Sequence, residues 1–335
     1  ELAEYLRQAA SKGRRIHYLP PYRPEHRLKL MNLIGLLPDR QDAGVSVDMM
    51  VAIIDQRNHK SDIEIAEIER ACDVTADMHI EAMKILRPGM LESQVSAALE
   101  AVAFAKGYGL SFATIATING QTLHNHHHDN VVGEGDLFLI DAGAETPMGY
   151  AGDMSSTICA SRRFTQRQKD IYDIQNAMHL QSVAALRPGV TFESVYDLSA
   201  RVMVEGLKSL GLMRGDAGDA VREGAHALFY PHGLGHMMGL DVHDMENFGE
   251  VLVGYAGHPK SRQFGRNSLR LARELEVGFV HTIEPGIYFI PELIDLWRKD
   301  RKLADFINYD KVEQYRDFGG IRNEEDYLIT PDGAR

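Results

Sequence analysis

The amino-acid sequence predicts a mixed α/β chain of the α+β kind, built on an internal duplication, and two observations predict it. The first is an echo between helical segments. Met78-His79, Leu86-Arg87-Pro88-Gly89 and Val95 return as Met178-His179, Leu186-Arg187-Pro188-Gly189 and Val195, always 100 residues later, with Asp73 and Asp173 in step. Each copy reads as a helix, a Pro-Gly corner and a second helix. Leu-Arg-Pro-Gly can stop a helix in any protein, but seven matches in the 18 positions from Met78 to Val95, without a gap, argue against coincidence. The second observation is an echo between strand ends. Gly135-Asp136-Leu137-Phe138-Leu139-Ile140-Asp141-Ala142-Gly143 and Gly278-Phe279-Val280-His281-Thr282-Ile283-Glu284-Pro285-Gly286 share one form: glycine, five residues, carboxylate, one residue, glycine. In both, an apolar run ends in an acid followed by a turn. Two such halves would bring their acids together near a pseudo-twofold axis.

The elements follow in order. Glu1 to Ser11 reads as a helix, Ile16 to Leu19 as a short strand stopped by Pro20-Pro21, and His26 to Leu36 as a helix ended by Pro38. Met49 to Ile54 is a second apolar run. Residues 1–58 thus read as part of an α/β unit, with too little alternation to close a domain alone. Ser61-Asp62-Ile63-Glu64 has capping-box spacing, and Ile65, Ile68, Cys72 and Ala76 recur behind it at helical intervals. The main domain is therefore placed at 59–335, and Cys72 is expected in its core. Thr165 and Gln168 supply a matching cap in the second copy.

Composition narrows the function. The chain has 335 residues, 44% hydrophobic and 25% charged, with a formal net charge of −12. This is globular composition, and the acidity argues against nucleic acid or an anionic membrane as partner. No apolar run approaches the roughly 18 residues of a membrane span. Two cysteines make no disulfide framework, and no signal-peptide pattern opens the chain, so a reducing, cytoplasmic setting is expected. Eight of the 15 histidines are bunched at 124–128 and 226–243.

One constellation carries chemistry. Asp141 and Glu284 close apolar runs, Asp153 lies in Gly149-Tyr150-Ala151-Gly152-Asp153, His236 in His232-Gly233-Leu234-Gly235-His236, and Glu324 in Gly320-Ile321-Arg322-Asn323-Glu324. Any one of these acids alone is more often a cap or an ion-pair partner. Together, four carboxylates and an imidazole form a hard ligand set suited to manganese-like divalent ions, and able to bridge two. His126, His127 and His128 read as a polar rim rather than a second metal site. Gly233-Leu234-Gly235 lacks nucleotide-loop spacing, Met237-Met238 reads as pocket wall, and Cys159 has no basic neighbour to activate it.

In this order the motifs resemble those of the pita-bread metallopeptidases, and within them the proline-specific branch of aminopeptidase P and prolidase. The resemblance spans residues 58–331; the interval from Asp141 to Asp153 is one residue longer than the family pattern, with both flanks intact. It implies a pita-bread catalytic domain, with residues 1–58 as the C-terminal remnant of a creatinase-type N-terminal domain. It also implies two divalent metal ions, manganese first, with cobalt and zinc as alternatives. By resemblance, Asp141 would hold one ion, Asp153 and Glu324 would bridge both, and His236 and Glu284 would hold the other. His124 and His243 would act on the substrate, with His243 at its carbonyl. Glu284 would move the proton of a water shared by the ions, and Arg322 would steady the ligands. His232, Arg270 and Tyr288 would contact the substrate. The implied reaction is hydrolysis of the Xaa-Pro bond of peptides with proline second, by a homodimer or larger homo-oligomer. Residues 14–36 resemble bacterial Xaa-Pro aminopeptidases, which puts aminopeptidase P first. Ser268 to Arg273 resembles prolidases, where an arginine at the place of Arg270 binds the dipeptide carboxylate. A methionine aminopeptidase and a catalytically silent binding module are lesser alternatives, and all five ligands being present argues against the latter.

Overall fold

The computed structural model describes all 335 residues. Helices α1 (Leu2–Ser11), α2 (Pro24–Ile34) and α3 (Val47–Asn58) precede the duplicated part. One sequence expectation fails here: residues 1–58 contain no strand. Ile16–Leu19 forms no ladder, because no neighbouring strand lies alongside it; its one backbone hydrogen bond is Ser46 N–H donating to the Tyr18 carbonyl at 3.1 Å. Met49–Ile54 lies inside α3, whose N-terminus is capped by Ser46. Met50 and Ile54 of α3 are buried in the large apolar cluster of the second half.

Helix α4 (Asp62–Ile85) starts at the expected capping box: Ser61 N–H donates to Glu64 Oε2 at 2.8 Å, and Ser61 Oγ accepts from Glu64 N. α5 (Glu92–Ala105) folds back on it. α6 (Gln166–Ala185) and α7 (Phe192–Ser209) repeat the pair, and Thr165 with Gln168 repeats the box. The corner glycines match as well, with φ +91° at Gly89 and +84° at Gly189, a region closed to most side chains.

The strands complete the duplication: β1 (Gly109–Leu110), β2 (Ile115–Thr117), β3 (Leu137–Ala142), β4 (Ala144–Glu145) and β5 (Met154–Cys159), then β6 (Val280–Ile283), β7 (Gly286–Tyr288), β8 (Gly320–Arg322), β9 (Glu325–Thr330) and β10 (Gly333–Ala334). Every paired strand is antiparallel, which places the chain in the α+β class. β3 lies between β2 and β5. β6 pairs with β9 on one side, and on the other Met237 bridges His281, so the His236 segment does for β6 what β2 does for β3. The halves meet where Glu324 N–H donates to the Ser155 carbonyl at 3.0 Å and Ser155 N–H returns the bond at 3.3 Å. Val74, Met78, Leu99, Phe138 and Ile140 fill the core of the first half; Phe192, Tyr196, Phe229 and Phe279 belong to that of the second. Cys72 is half-buried and packs against a third, small apolar cluster of Ile68, Ala151, Met238 and Val280, while its thiol donates to Asp326 Oδ2 at 3.1 Å. No helix is long and apolar enough to cross a membrane.

Candidate metal centre

Each half delivers two acids in the same way. Asp141 is the penultimate residue of β3 and Asp153 immediately precedes its partner β5; Glu284 follows β6 and Glu324 immediately precedes its partner β9. The antiparallel pairing therefore brings four acids distant in sequence to the seam between the halves. His236 joins them from the segment beside β6. Gly235 lets that segment lie close, since a Cβ there would run into the Thr282 carbonyl. All five residues line one cavity of about 520 Å³, together with His124, His126, His232, His243, Arg270 and Arg322. Tyr288 is not on its wall. It is fully buried behind it, where its hydroxyl accepts from Arg322 Nη1 at 3.0 Å and meets His232 Nε2 at 2.9 Å.

Within the cavity, Asp153, His236 and Glu324 bring one ligand atom each to within 4.8 Å of one another. His236 Nδ1 donates to the Met237 carbonyl at 3.1 Å, so Nε2 keeps its lone pair; it lies 3.3 Å from Asp153 Oδ2 and 3.7 Å from Glu284 Oε1. Asp153 Oδ1 is buried without a hydrogen-bond partner. Asp141 is held at the edge of this cluster by Arg322 Nη2 at 2.6 Å. Arg322 Nε also donates to Ser155 Oγ at 2.9 Å, and Ser155 Oγ donates to Glu324 Oε2 at 2.6 Å.

The electrostatics are strained in the way a cation would relieve. Burial, then the charge of Asp141, pushes the Asp153 carboxyl well above the ordinary range. Burial, then Asp153 and Glu284, does the same to Glu324, and burial raises Glu284. An orphaned carboxylate oxygen, a free imidazole nitrogen and crowded buried acids fit hard divalent ions. Three of the histidines around them are kept neutral. Burial pushes His232 down to about 3 and His243 down to about 2, and it lowers His124.

Two supporting residues carried no sequence signal of their own. Asp326 Oδ2 accepts from Asp153 N–H at 3.0 Å and from the Cys72 thiol, and burial pushes Asp326 up to about 7. Glu92 is fully buried at the start of α5. Its Oε1 accepts from Thr117 Oγ1 at 2.9 Å and Ile118 N at 2.8 Å; its Oε2 accepts from Asn130 Nδ2 at 2.9 Å and Asn130 N at 3.2 Å. It thereby ties both feet of the loop that carries His124. Glu92→Gln faces two of these donors with an NH₂ group. The expected result is a KM raised by about tenfold through misplacement of His124, with metal affinity by calorimetry unchanged. A weakened metal affinity would move Glu92 from the loop to the centre.

Fold and site together define a duplicated α+β protein with a buried oxygen-and-imidazole centre suited to divalent ions. The chain belongs to metallopeptidase family M24, whose model matches residues 66–331. It is 32% identical over 290 residues to the human Xaa-Pro dipeptidase, covering 84% of this chain and 57% of that protein. It is 36% identical over 292 residues to the Xaa-Pro aminopeptidase of Escherichia coli strain K12, covering 86% and 57%. Among solved structures, Zn-substituted Escherichia coli aminopeptidase P in complex with product superimposes with a TM-score of 0.74 at 32% identity, covering 95% of this chain and 66% of that one. The fold is thus the pita-bread fold of aminopeptidase P, and the chain spans somewhat over half the length of the two curated relatives.

Proposed function

We propose that this chain carries the catalytic centre of an Xaa-Pro aminopeptidase, which removes the first residue of peptides with proline second. The observation behind this reading is the convergence of Asp141, Asp153, His236, Glu284 and Glu324 on one cavity wall, in a chain similar to Xaa-Pro peptidases. These five residues would hold two divalent ions, manganese first. Such ions, when bound, supply an activated water at neutral pH and polarise the scissile carbonyl. Arg322 keeps Asp141 and, through Ser155, Glu324 in place. His124 and His243, neutral on the cavity wall, orient the peptide around its scissile carbonyl. Glu284 takes up the proton of the attacking water and returns it to the leaving proline nitrogen. His232 sets the pocket wall, and the buried Tyr288 hydroxyl fixes its ring. We further propose a homodimer or larger assembly and a cytoplasmic setting.

Prolidase activity is the second reading, favoured by Arg270 on the cavity wall. Hydrolysis of Ala-Pro-Ala and Ala-Pro, with manganese and with chelator, separates the two. The expected result is manganese-dependent release of alanine from the tripeptide, lost on chelation. Cleavage of Ala-Pro alone would make the chain a prolidase, and cleavage of neither would make it a silent member of the family. On the prolidase reading, Arg270→Ala slows Ala-Pro more than Ala-Pro-Ala.

A further inference from the structure

Arg270 reaches the cavity already paired. Its Nη1 is shared by Glu246 Oε1 and by Glu250 Oε1, the latter at 3.1 Å. The other oxygen of Glu250 pairs with Lys260. The other oxygen of Glu246 accepts from His243 Nδ1 at 2.9 Å. Two acids thus face two bases, Arg270 and Lys260. Beside them lies a small cavity of about 20 Å³, lined by His243, Glu246, Glu250 and Arg270 among others, with room for a single water.

We infer that Glu250, with Glu246, sets the length of peptide the cleft accepts, by withholding the Arg270 charge from a free carboxylate. This rests on the Xaa-Pro reading above. A dipeptide ends in a carboxylate immediately after proline. To use Arg270 that carboxylate must come within range of the two glutamates that already hold its Nη1. Like-charge repulsion offsets the attraction to the guanidinium. A longer peptide presents an uncharged amide at the same place. Its carbonyl accepts from Arg270 without that repulsion, so the clamp favours substrates that continue beyond proline. Glu246 has a second task, holding His243 by Nδ1, whereas Glu250 touches only Arg270 and Lys260 among charged groups. Glu250 is therefore the cleaner handle.

The experiment compares kcat/KM for Ala-Pro and Ala-Pro-Ala in the manganese-loaded wild type, in Glu250→Gln and in Glu250→Gln/Arg270→Ala. The wild type is expected to favour the tripeptide. Glu250→Gln is expected to shift the ratio toward the dipeptide by about tenfold, mostly through KM, and Arg270→Ala on that background is expected to erase the gain. Glu246→Gln shifts the ratio the same way while lowering both rates through His243. General loosening of the loop would slow both substrates and leave their ratio alone. An active enzyme whose ratio does not move, a gain that survives Arg270→Ala, or a wild type that prefers the dipeptide overturns the inference. A wild type that cleaves neither peptide overturns the proposed function, and the inference falls with it.

Discussion

Glu324→Gln is expected to abolish turnover and at the same time to stabilise the metal-free protein at neutral pH. Glu324 sits in the three-residue cluster with Asp153 and His236, and its side chain is almost wholly buried. Glutamine keeps the volume but supplies no charge to a divalent ion, so kcat/KM should fall by about three orders of magnitude or more. The stability change has the opposite sign. In the folded, metal-free protein, burial and then Asp153, Glu284 and Asp141 hold the Glu324 carboxyl well above its ordinary value of 4.5. A carboxyl raised in this way leaves stability intact below its unfolded value. That stability is lost as pH rises from there through the folded value. Chelated wild-type protein should therefore melt at a lower temperature at pH 8 than at pH 5, and Glu324→Gln should reduce this decline. Manganese should raise the melting temperature of the wild type at pH 8 far more than that of the variant. Scanning calorimetry with and without manganese checks both statements. Equal pH slopes in the two chelated proteins would show that repulsion around Glu324 is not what the ion relieves.

The same centre shows which features were legible in the sequence. Capping is local, so Ser61 with Glu64 and Thr165 with Gln168 could be read directly and recur in the fold. Asp141 and Glu284 were legible because each closes an apolar run within a duplicated form, and Asp153 and Glu324 because they stand with them in ordered motifs; no one acid was legible alone. Features that depend on a distant partner were not. Ile16–Leu19 has strand composition but no neighbour to pair with, and a strand exists only as a pair. The helical face of Cys72 pointed inward, and it packs on a small apolar cluster, but its thiol also meets the carboxylate of Asp326, 254 residues away, which no local pattern announces. Glu92 belongs to no motif; its importance lies in the four donors that the loop at 117–130 brings to it. Tyr288 lies in the Glu284 motif, yet β7 turns it behind the cavity wall, a choice of face that the motif does not encode.

Removing Asp244 should cost more stability than any surface change, about 3–5 kcal/mol. Its side chain is 1% exposed, and so is that of Lys60, whose Nζ donates to Asp244 Oδ2 at 3.1 Å. Arg57 Nη2 takes Asp244 Oδ1 at 2.5 Å. Burial pulls the Lys60 pKa down, and the Asp244 charge works against that pull. Asp244→Ala therefore leaves an ammonium buried beside an arginine, and urea titration should show a lower midpoint with an unchanged slope. Replacing both partners, as Asp244→Leu with Lys60→Met, should recover most of the loss, because the cost lies in the unpaired charge rather than in the missing attraction. The recovery should not extend to activity. Asp244 follows His243, and its N–H donates to the Met237 carbonyl at 2.9 Å, while Lys60 N–H donates to the Gly278 carbonyl at 3.0 Å just before β6. The ion pair thus ties the turn between α3 and α4 to the loop that carries His243. An apolar pair can fill that space, but it cannot set the direction of the loop as two charge-assisted bonds do. A double variant as active as the wild type would show that packing alone orients His243.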